Sequence, residues 1–306
     1  MIDPALVQLA AEQSMLFRRA DAEQLGVTDF DLRQMVRSRL CRPVIRSVYS
    51  VMPKPALPSE RLVEKTLAML LANPHVAAAG RSALALLDVD LFGVNYEKAQ
   101  GIWLNKCATR STTDLVIRRP LVMPAVSDVD GHLVVTAPWA IVDVARDAGV
   151  VAGTVSADNA LHHKRVTVEE LEDVIRAQRG ASRISRATRA VELSDRRSES
   201  VGETRLRLLL QSAGIDVEPQ FKVTVGKRVL ARADFRVKGT RLLIEFDGMV
   251  KYRGDEGADV LAREKRREDV VRPHGWTFER VVHTDFDQPR VLIARLRSAA
   301  DNAPDG

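Results

Sequence analysis

The sequence predicts a multidomain α/β protein, and three observations carry that expectation. A basic helical segment ending in a short alternating run opens the chain, a proline-rich stretch, PKPALP, follows at 53–58, and two later regions each mix amphipathic helical patterns with strand-like runs. At 306 residues the chain is longer than one ordinary small domain and suits two or three, each with its own core. Apolar residues make up 45% and charged residues 28%, which fits a globular chain rather than a disordered one.

In the opening segment Leu6, Leu9 and Ala10 share one helical face. A second helix is expected over 19–25, with Gly26 as its C-terminal stop. Thr28 is then placed to cap a third helix that turns Leu32, Met35 and Val36 inward and leaves Arg33 and Arg37 outward. Alternation over 44–51, within RLCRPVIRSVYSVM, predicts two short strands. Helix, helix, turn, helix and strand pair is the order of a winged helix-turn-helix, whose last helix enters the major groove. Residues 1–52 are expected to form that unit, with Arg33, Arg37 and Arg39 facing DNA and Arg42 and Arg46 on the wing. The other reading is a basic three-helix module that binds protein.

Residues 60–178 read as an α/β middle domain. An amphipathic helix is expected over 60–71, a small-residue helical continuation over 75–87, strands over 101–104, 114–118 and 132–136, a helix over 137–146 and a helical pair over 156–176. Its adjacent His162 and His163 point to different faces of a helix, which suits surface or structural roles rather than one metal. Cys41 and Cys107 stand far apart without neighbouring histidines, so they predict packed apolar side chains and no disulfide or zinc site. No run of about 18 apolar residues escapes charge, which argues against a membrane span. The start MIDPALVQLAAEQ lacks the pattern of a signal peptide, so the expected location is the cytoplasm.

Net charge is +5, and its distribution favours polyanion partners, DNA above all. One cluster holds Arg179, Arg183, Arg186, Arg189, Arg196 and Arg197, and a second holds Arg263, Lys265, Arg266, Arg267 and Arg272. A solvated helical face is the plain alternative for either.

The last region, 198–300, carries the sharpest chemistry. SESVGETRLRLLLQSAG predicts a helix capped by Ser198 and closed at Gly214, with Glu199 and Glu203 one turn apart. PQFKVTV and RVLARADFRV flank Gly226 as a hairpin, and RLLIEFDG predicts a buried strand interrupted by Glu245 and Asp247. Carboxylates buried in an apolar strand require a cation or a donor. Asp234, on the preceding strand, is placed to lie beside Glu245. Converging carboxylates suit magnesium or manganese; salt bridges to Arg232, Arg236 and Arg241 are the alternative. Gln220 precedes the first strand as a hairpin-end donor, Trp276 is assigned to the core, and the closing NAPDG to a frayed tail.

Two resemblances follow from these segments. The opening unit, RSALALL and APWAIVDVAR resemble actinobacterial AbiEi-type antitoxin-like proteins over about the first 180 residues. That likeness implies DNA binding and, for an antitoxin of a type IV toxin–antitoxin system, a toxin partner; homodimers are common among winged-helix proteins. Residues 198–282, with SES..E, an Asp-Phe pair, an E-x-D-G strand end and KRRED, resemble PD-(D/E)XK restriction-endonuclease-like domains related to very-short-patch-repair endonucleases. The likeness implies a DNA endonuclease of repair or defence. It gives Asp234 and Glu245 the main ligand positions for Mg2+ or Mn2+ and Glu203 a supporting one. Asp247 stands where the general motif has lysine, so Lys251 or Lys265 would reach back, or Asp247 would itself act as ligand or base. Arg263, Lys265 and Arg266 would contact the DNA backbone.

Overall fold

The fold is mixed α/β, with eleven α-helices and three sheets among the described residues. The structure is a computed structural model that describes residues 2–105, 107–248 and 270–306. The chain divides into two compact units, Met1–Glu192 and Leu193–Gly306.

The first unit begins with α1 (Pro4–Glu12), β1 (Leu16–Arg18), α2 (Arg19–Gln24), α3 (Asp29–Arg37), β2 (Arg42–Ile45) and β3 (Val48–Ser50). Local chemistry starts the helices. Asp3 accepts the Ala5 N–H at 2.8 Å ahead of α1. Thr28 and Asp31 cap α3 reciprocally, the Thr28 hydroxyl accepting the Asp31 N–H at 3.2 Å and the Asp31 carboxylate accepting the Thr28 N–H at 3.0 Å. Leu6, Ala10, Phe17, Leu32 and Met35 close a small core beneath them. The strands form an antiparallel sheet in the order β1-β3-β2, so the expected hairpin has a third strand, β1.

The rest of this unit comprises α4 (Pro58–Ala72), β4 (Val76–Ala78), α5 (Gly80–Leu86), β5 (Ala99–Trp103), β6 (Arg110–Ser111), β7 (Leu115–Arg118), β8 (Val126–Val129), β9 (His132–Val135), α6 (Ala137–Ala148), α7 (Val150–His162), α8 (Val168–Ala177) and α9 (Ile184–Glu192). The strands form one mixed sheet, β6-β7-β5-β4-β9-β8, with β6 at one edge. Where a continuous small-residue helix is expected over 75–87, the buried strand β4 precedes α5; alanine tolerates either state, and pairing with β5 and β9 decides for strand. Leu16, Ile45 and Val48 of the first sheet share a core with Met69, Val76, Ile117 and Ile141. The proline-rich stretch at 53–58 therefore does not isolate the opening segment, which keeps a small core of its own while its sheet packs into the core of the rest of the unit. Arg42 joins them: its guanidinium donates to the carbonyls of Met52 (2.9 Å) and Pro53 (3.0 Å) and pairs with Glu64 on α4.

The second unit holds α10 (Val201–Ser212), β10 (Val217–Val225), β11 (Arg228–Val237), β12 (Leu242–Asp247), β13 (Thr277–Val282) and α11 (Pro289–Asp301). Its sheet runs β10-β11-β12-β13, antiparallel except for the parallel β12/β13 pair. Leu206, Leu210, Phe235, Ile244, Val281 and Leu292 form one core, and Val223, Ala233, Leu243 and Val271 form another, against which Phe221 and Trp276 pack. The closing residues are tied down rather than frayed: Arg241 N–H donates to the Pro304 carbonyl at 2.8 Å and Thr240 bridges Asp305. No helix among the described residues is long and apolar enough to cross a membrane.

Candidate functional site

The acidic site of the second unit begins at the first turn of α10. Ser200, rather than Ser198, is the cap: its hydroxyl accepts the Glu203 N–H at 3.1 Å and donates to Glu203 Oε1 at 2.9 Å. Ser198 instead accepts from Arg207 Nε at 3.2 Å. Glu203 is only 7% exposed, and its Oε2 also accepts the Glu199 N–H at 3.0 Å and Gln220 Nε2 at 2.9 Å. Three donors thus fix this carboxylate. Gln220 takes a left-handed backbone φ of 55°, between the pairs Pro219↔Phe235 and Phe221↔Ala233. Its Oε1 is buried without a hydrogen-bond partner among the described residues. Ser200→Ala should cost about 1 kcal/mol in chemical denaturation of the second unit through the lost cap; an unchanged midpoint would count against the capping role.

Asp234 and Glu245 meet across neighbouring strands. Phe235 pairs with Ile244, so the next step of that antiparallel register sets Asp234 opposite Glu245. Asp234 Oδ2 accepts the Phe246 N–H at 2.8 Å. Burial pushes the Asp234 carboxyl up to about 7; the Phe246 N–H opposes this, and the negative charges of Glu203, Glu245 and Glu199 add to it. Glu245 is 8% exposed in a strand whose Leu242, Leu243 and Ile244 are buried. Of the arginines in the alternative salt-bridge reading, Arg232 pairs with Glu199, one of the acids that act on Asp234, through two bonds of 2.7 and 2.8 Å. Arg236 Nε donates to the Thr240 carbonyl at 3.0 Å, and Arg241 Nη1 donates to the His274 carbonyl at 2.9 Å.

Asp247 has a cation beside it that the motif did not indicate. Parallel pairing sets Arg280 of β13 level with Glu245, and Arg280 Nη1 lies 3.6 Å from Asp247 Oδ2. Arg280 lies in WTFERVV, whose apolar residues suit a strand, but the sequence does not name that strand's partner. Lys251, Arg263, Lys265 and Arg266 lie outside the described residues.

Among the described residues no three His, Cys, Asp or Glu side chains form a ready metal cage. Magnesium does not require one, since it keeps several waters and binds through one or two carboxylates plus substrate phosphate oxygens. Asp234 and Glu245 fit that smaller oxygen-only set. Glu203, already held by three donors, fits a supporting role.

A second candidate surface lies on the first unit. Arg33, Arg37, Arg39 and Arg46 are exposed, Arg33 Nε donating to the Asp29 carbonyl at 3.0 Å, whereas Arg42 is half-buried in its contacts with 52–53 and Glu64. A cleft of about 530 Å³ runs between α3 and the β2/β3 hairpin, lined by Arg33, Arg37, Pro43 and Tyr49 among others. The arginine-rich stretch after α8 is partly self-neutralised, with Arg189 on Glu192 at 3.0 Å and Arg197 on Asp195 at 2.7 Å. His163 Nδ1 lies 2.9 Å from the Asn159 carbonyl, and its ring stands edge-on to His162.

No family model matches this chain. Two Mycobacterium tuberculosis proteins from different strains, the uncharacterized proteins MT2308 and Rv2248, are each 29% identical to it over 177 residues. The matched stretch covers 57% of this chain and 64% of each relative, so the chain spans under two thirds of their length.

Proposed function

We propose that this protein binds DNA through its amino-terminal helices and hairpin and hydrolyses phosphodiester bonds at the carboxylates of its second unit, with Mg2+ or Mn2+ as cofactor. The observation that carries this reading is Asp234, buried opposite Glu245 and crowded by the charges of Glu203 and Glu199. Such crowding is costly in a fold unless a cation relieves it.

Asp234 and Glu245 would hold the ion, which when bound supplies Lewis acidity and an activated water. The Phe246 N–H fixes the Asp234 carboxylate, and the Ser200 and Gln220 donors keep Glu203 aimed beside it. Arg280 places a positive charge on the strand edge next to Asp247, where the general motif has lysine. For the amino-terminal unit, the element order α1-β1-α2-α3-β2-β3 and the exposed Arg33 and Arg37 on α3 support a winged helix-turn-helix reading, with α3 in the major groove.

The test is a metal-titrated assay over single-stranded, duplex, mismatched and branched DNA. Cleavage should require magnesium or manganese and vanish in Glu245→Ala, while DNA binding survives. An Arg33→Ala/Arg37→Ala double variant should weaken duplex binding and flatten its salt dependence by about 0.9 per lost phosphate contact. Failure to cleave any of these substrates in either metal would sink the catalytic reading.

Asp247 in place of lysine, paired with Arg280, favours a second reading: a non-catalytic transcriptional repressor or antitoxin of a type IV toxin–antitoxin system. It expects a discrete footprint upstream of the protein's own gene and unchanged repression by Asp234→Ala.

A further inference from the structure

The α3 cleft does not end at the hairpin. It shares Arg19, Pro43 and Tyr49 with a second cleft, of about 510 Å³, that is lined by Val44, Ile45, Arg46 and Ser47 of the hairpin. That cleft in turn shares Ile45, Arg46, Ser47 and Asp114 with a third, of about 360 Å³, which runs on to Asn73, Arg110, Thr112 and Thr113. The three clefts thus adjoin one another through shared lining residues, from α3, past the hairpin turn, to the edge strand β6 of the six-stranded sheet. All three lie within the first compact unit.

Their walls suit a phosphate chain. Arg33, Arg37, Arg46 and Arg110 are exposed and have no carboxylate ion-pair partner among the described residues. The two cleft-lining acids each have a cation beside them that a second acid shares: Asp29 pairs with Arg19 at 2.5 Å, which also holds Glu23, and Asp114 lies 3.4 Å from Lys65 Nζ, which also holds Glu97. The Ser47 hydroxyl lines the same walls, a neutral group of the kind that contacts phosphate, while Asn73, Thr112 and Thr113 are held within the fold by Met69, Leu115 and Asp114. The turn is rigidly seated, since Arg19 N–H donates to the Ser47 carbonyl at 2.9 Å and Ser47 holds a left-handed φ of 66°. At the far end Lys98 Nζ donates to Ser111 Oγ at 2.9 Å, adding a further cation beside β6.

We infer that the DNA footprint extends beyond α3 and the hairpin onto the middle sheet, with Arg46 and Arg110 gripping the phosphate backbone of duplex DNA that α3 reads. This rests on the reading of α3 as the groove helix. Contacts of this kind add affinity and salt dependence without sequence preference.

The full chain is titrated into fluorescein-labelled duplex DNA of random sequence, by anisotropy over a series of potassium chloride concentrations. Arg110→Ala should flatten the plot of log affinity against log salt by roughly 0.9, Arg110→Lys should keep the slope, and Arg110→Ala with Arg37→Ala should lose about twice as much as either alone. If Arg37→Ala flattens the slope and Arg110→Ala leaves it intact, the footprint stops at the hairpin and the inference is overturned, while the reading of α3 stands. If neither substitution moves the slope, the reading of α3 fails and the extension falls with it.

Discussion

Asp234→Asn is expected to abolish the proposed metal-dependent cleavage and, in the same molecule, to raise thermal stability above neutral pH. The folded Asp234 carboxyl is pushed up to about 7, first by burial and then by its acidic neighbours. An unfolded aspartate titrates near about 3.9. Between those values the folded state holds a proton that the unfolded state has lost, so Asp234 penalises the fold progressively as pH rises through the window. Above about 7 the penalty is complete; at about 1.4 kcal/mol per unit of pKa it amounts to a few kcal/mol. Asparagine keeps an acceptor for the Phe246 N–H and carries no charge. Thermal melts of the two proteins should therefore coincide near pH 4, diverge as pH rises, and stay apart above about 7. Magnesium should stabilise the wild type at alkaline pH, because it binds the folded carboxylates, and should leave Asp234→Asn unmoved. A variant less stable than wild type at pH 8, or equal stabilisation of both by magnesium, would refute the carboxylate-crowding account.

The same residue shows what the sequence made legible. Asp234 and Glu245 stood out because acids inside apolar strands are rare without a partner, and they lie on the adjacent paired strands β11 and β12. The inward face of α1 and the cap and inward face of α3 were readable for a similar reason, since capping and helical periodicity are local. What escaped was long-range. β1 is three residues long and is a strand only because β3 pairs with it. β4 lies in alanine-rich sequence that local propensity assigns to helix. Arg42 looked like its neighbour Arg46, yet it turns towards Glu64 of α4, and no spacing in the hairpin sequence announces that partner. Arg280 comes beside Asp247 through a parallel pairing between segments far apart in the chain. The cleft that joins Arg46 to Arg110 likewise exists only once the hairpin and the middle sheet share a core.

Gly202→Ala is expected to destabilise the second unit and to disable its site, although alanine is the better helix former. A Cβ at Gly202 would stand 1.8 Å from Phe246 Cε1 and 2.3 Å from Cδ1 and Cζ, inside any tolerable contact. The gain in helix propensity is about 1 kcal/mol. Overpacking on this scale costs about 3 kcal/mol or more, so the clash wins. The Phe246 ring has little room to retreat, with the rings of Phe286 at 5.7 Å and His283 at 6.5 Å from its centroid. The strain must then separate α10 from β12. Those elements carry Glu203, the residue after Gly202, and the Phe246 N–H that holds Asp234, so one methyl group alters the spacing between the two carboxylates. Phe246→Leu alone should cost about 1–2 kcal/mol in lost packing. Combined with Gly202→Ala it should restore part of the stability, a coupling between contacting residues that distant pairs do not show. Denaturation midpoints of the two single variants and the double variant measure that coupling. Simple additivity would mean that α10 does not rest on Phe246, and the shared anchoring of Glu203 and Asp234 would lose its basis.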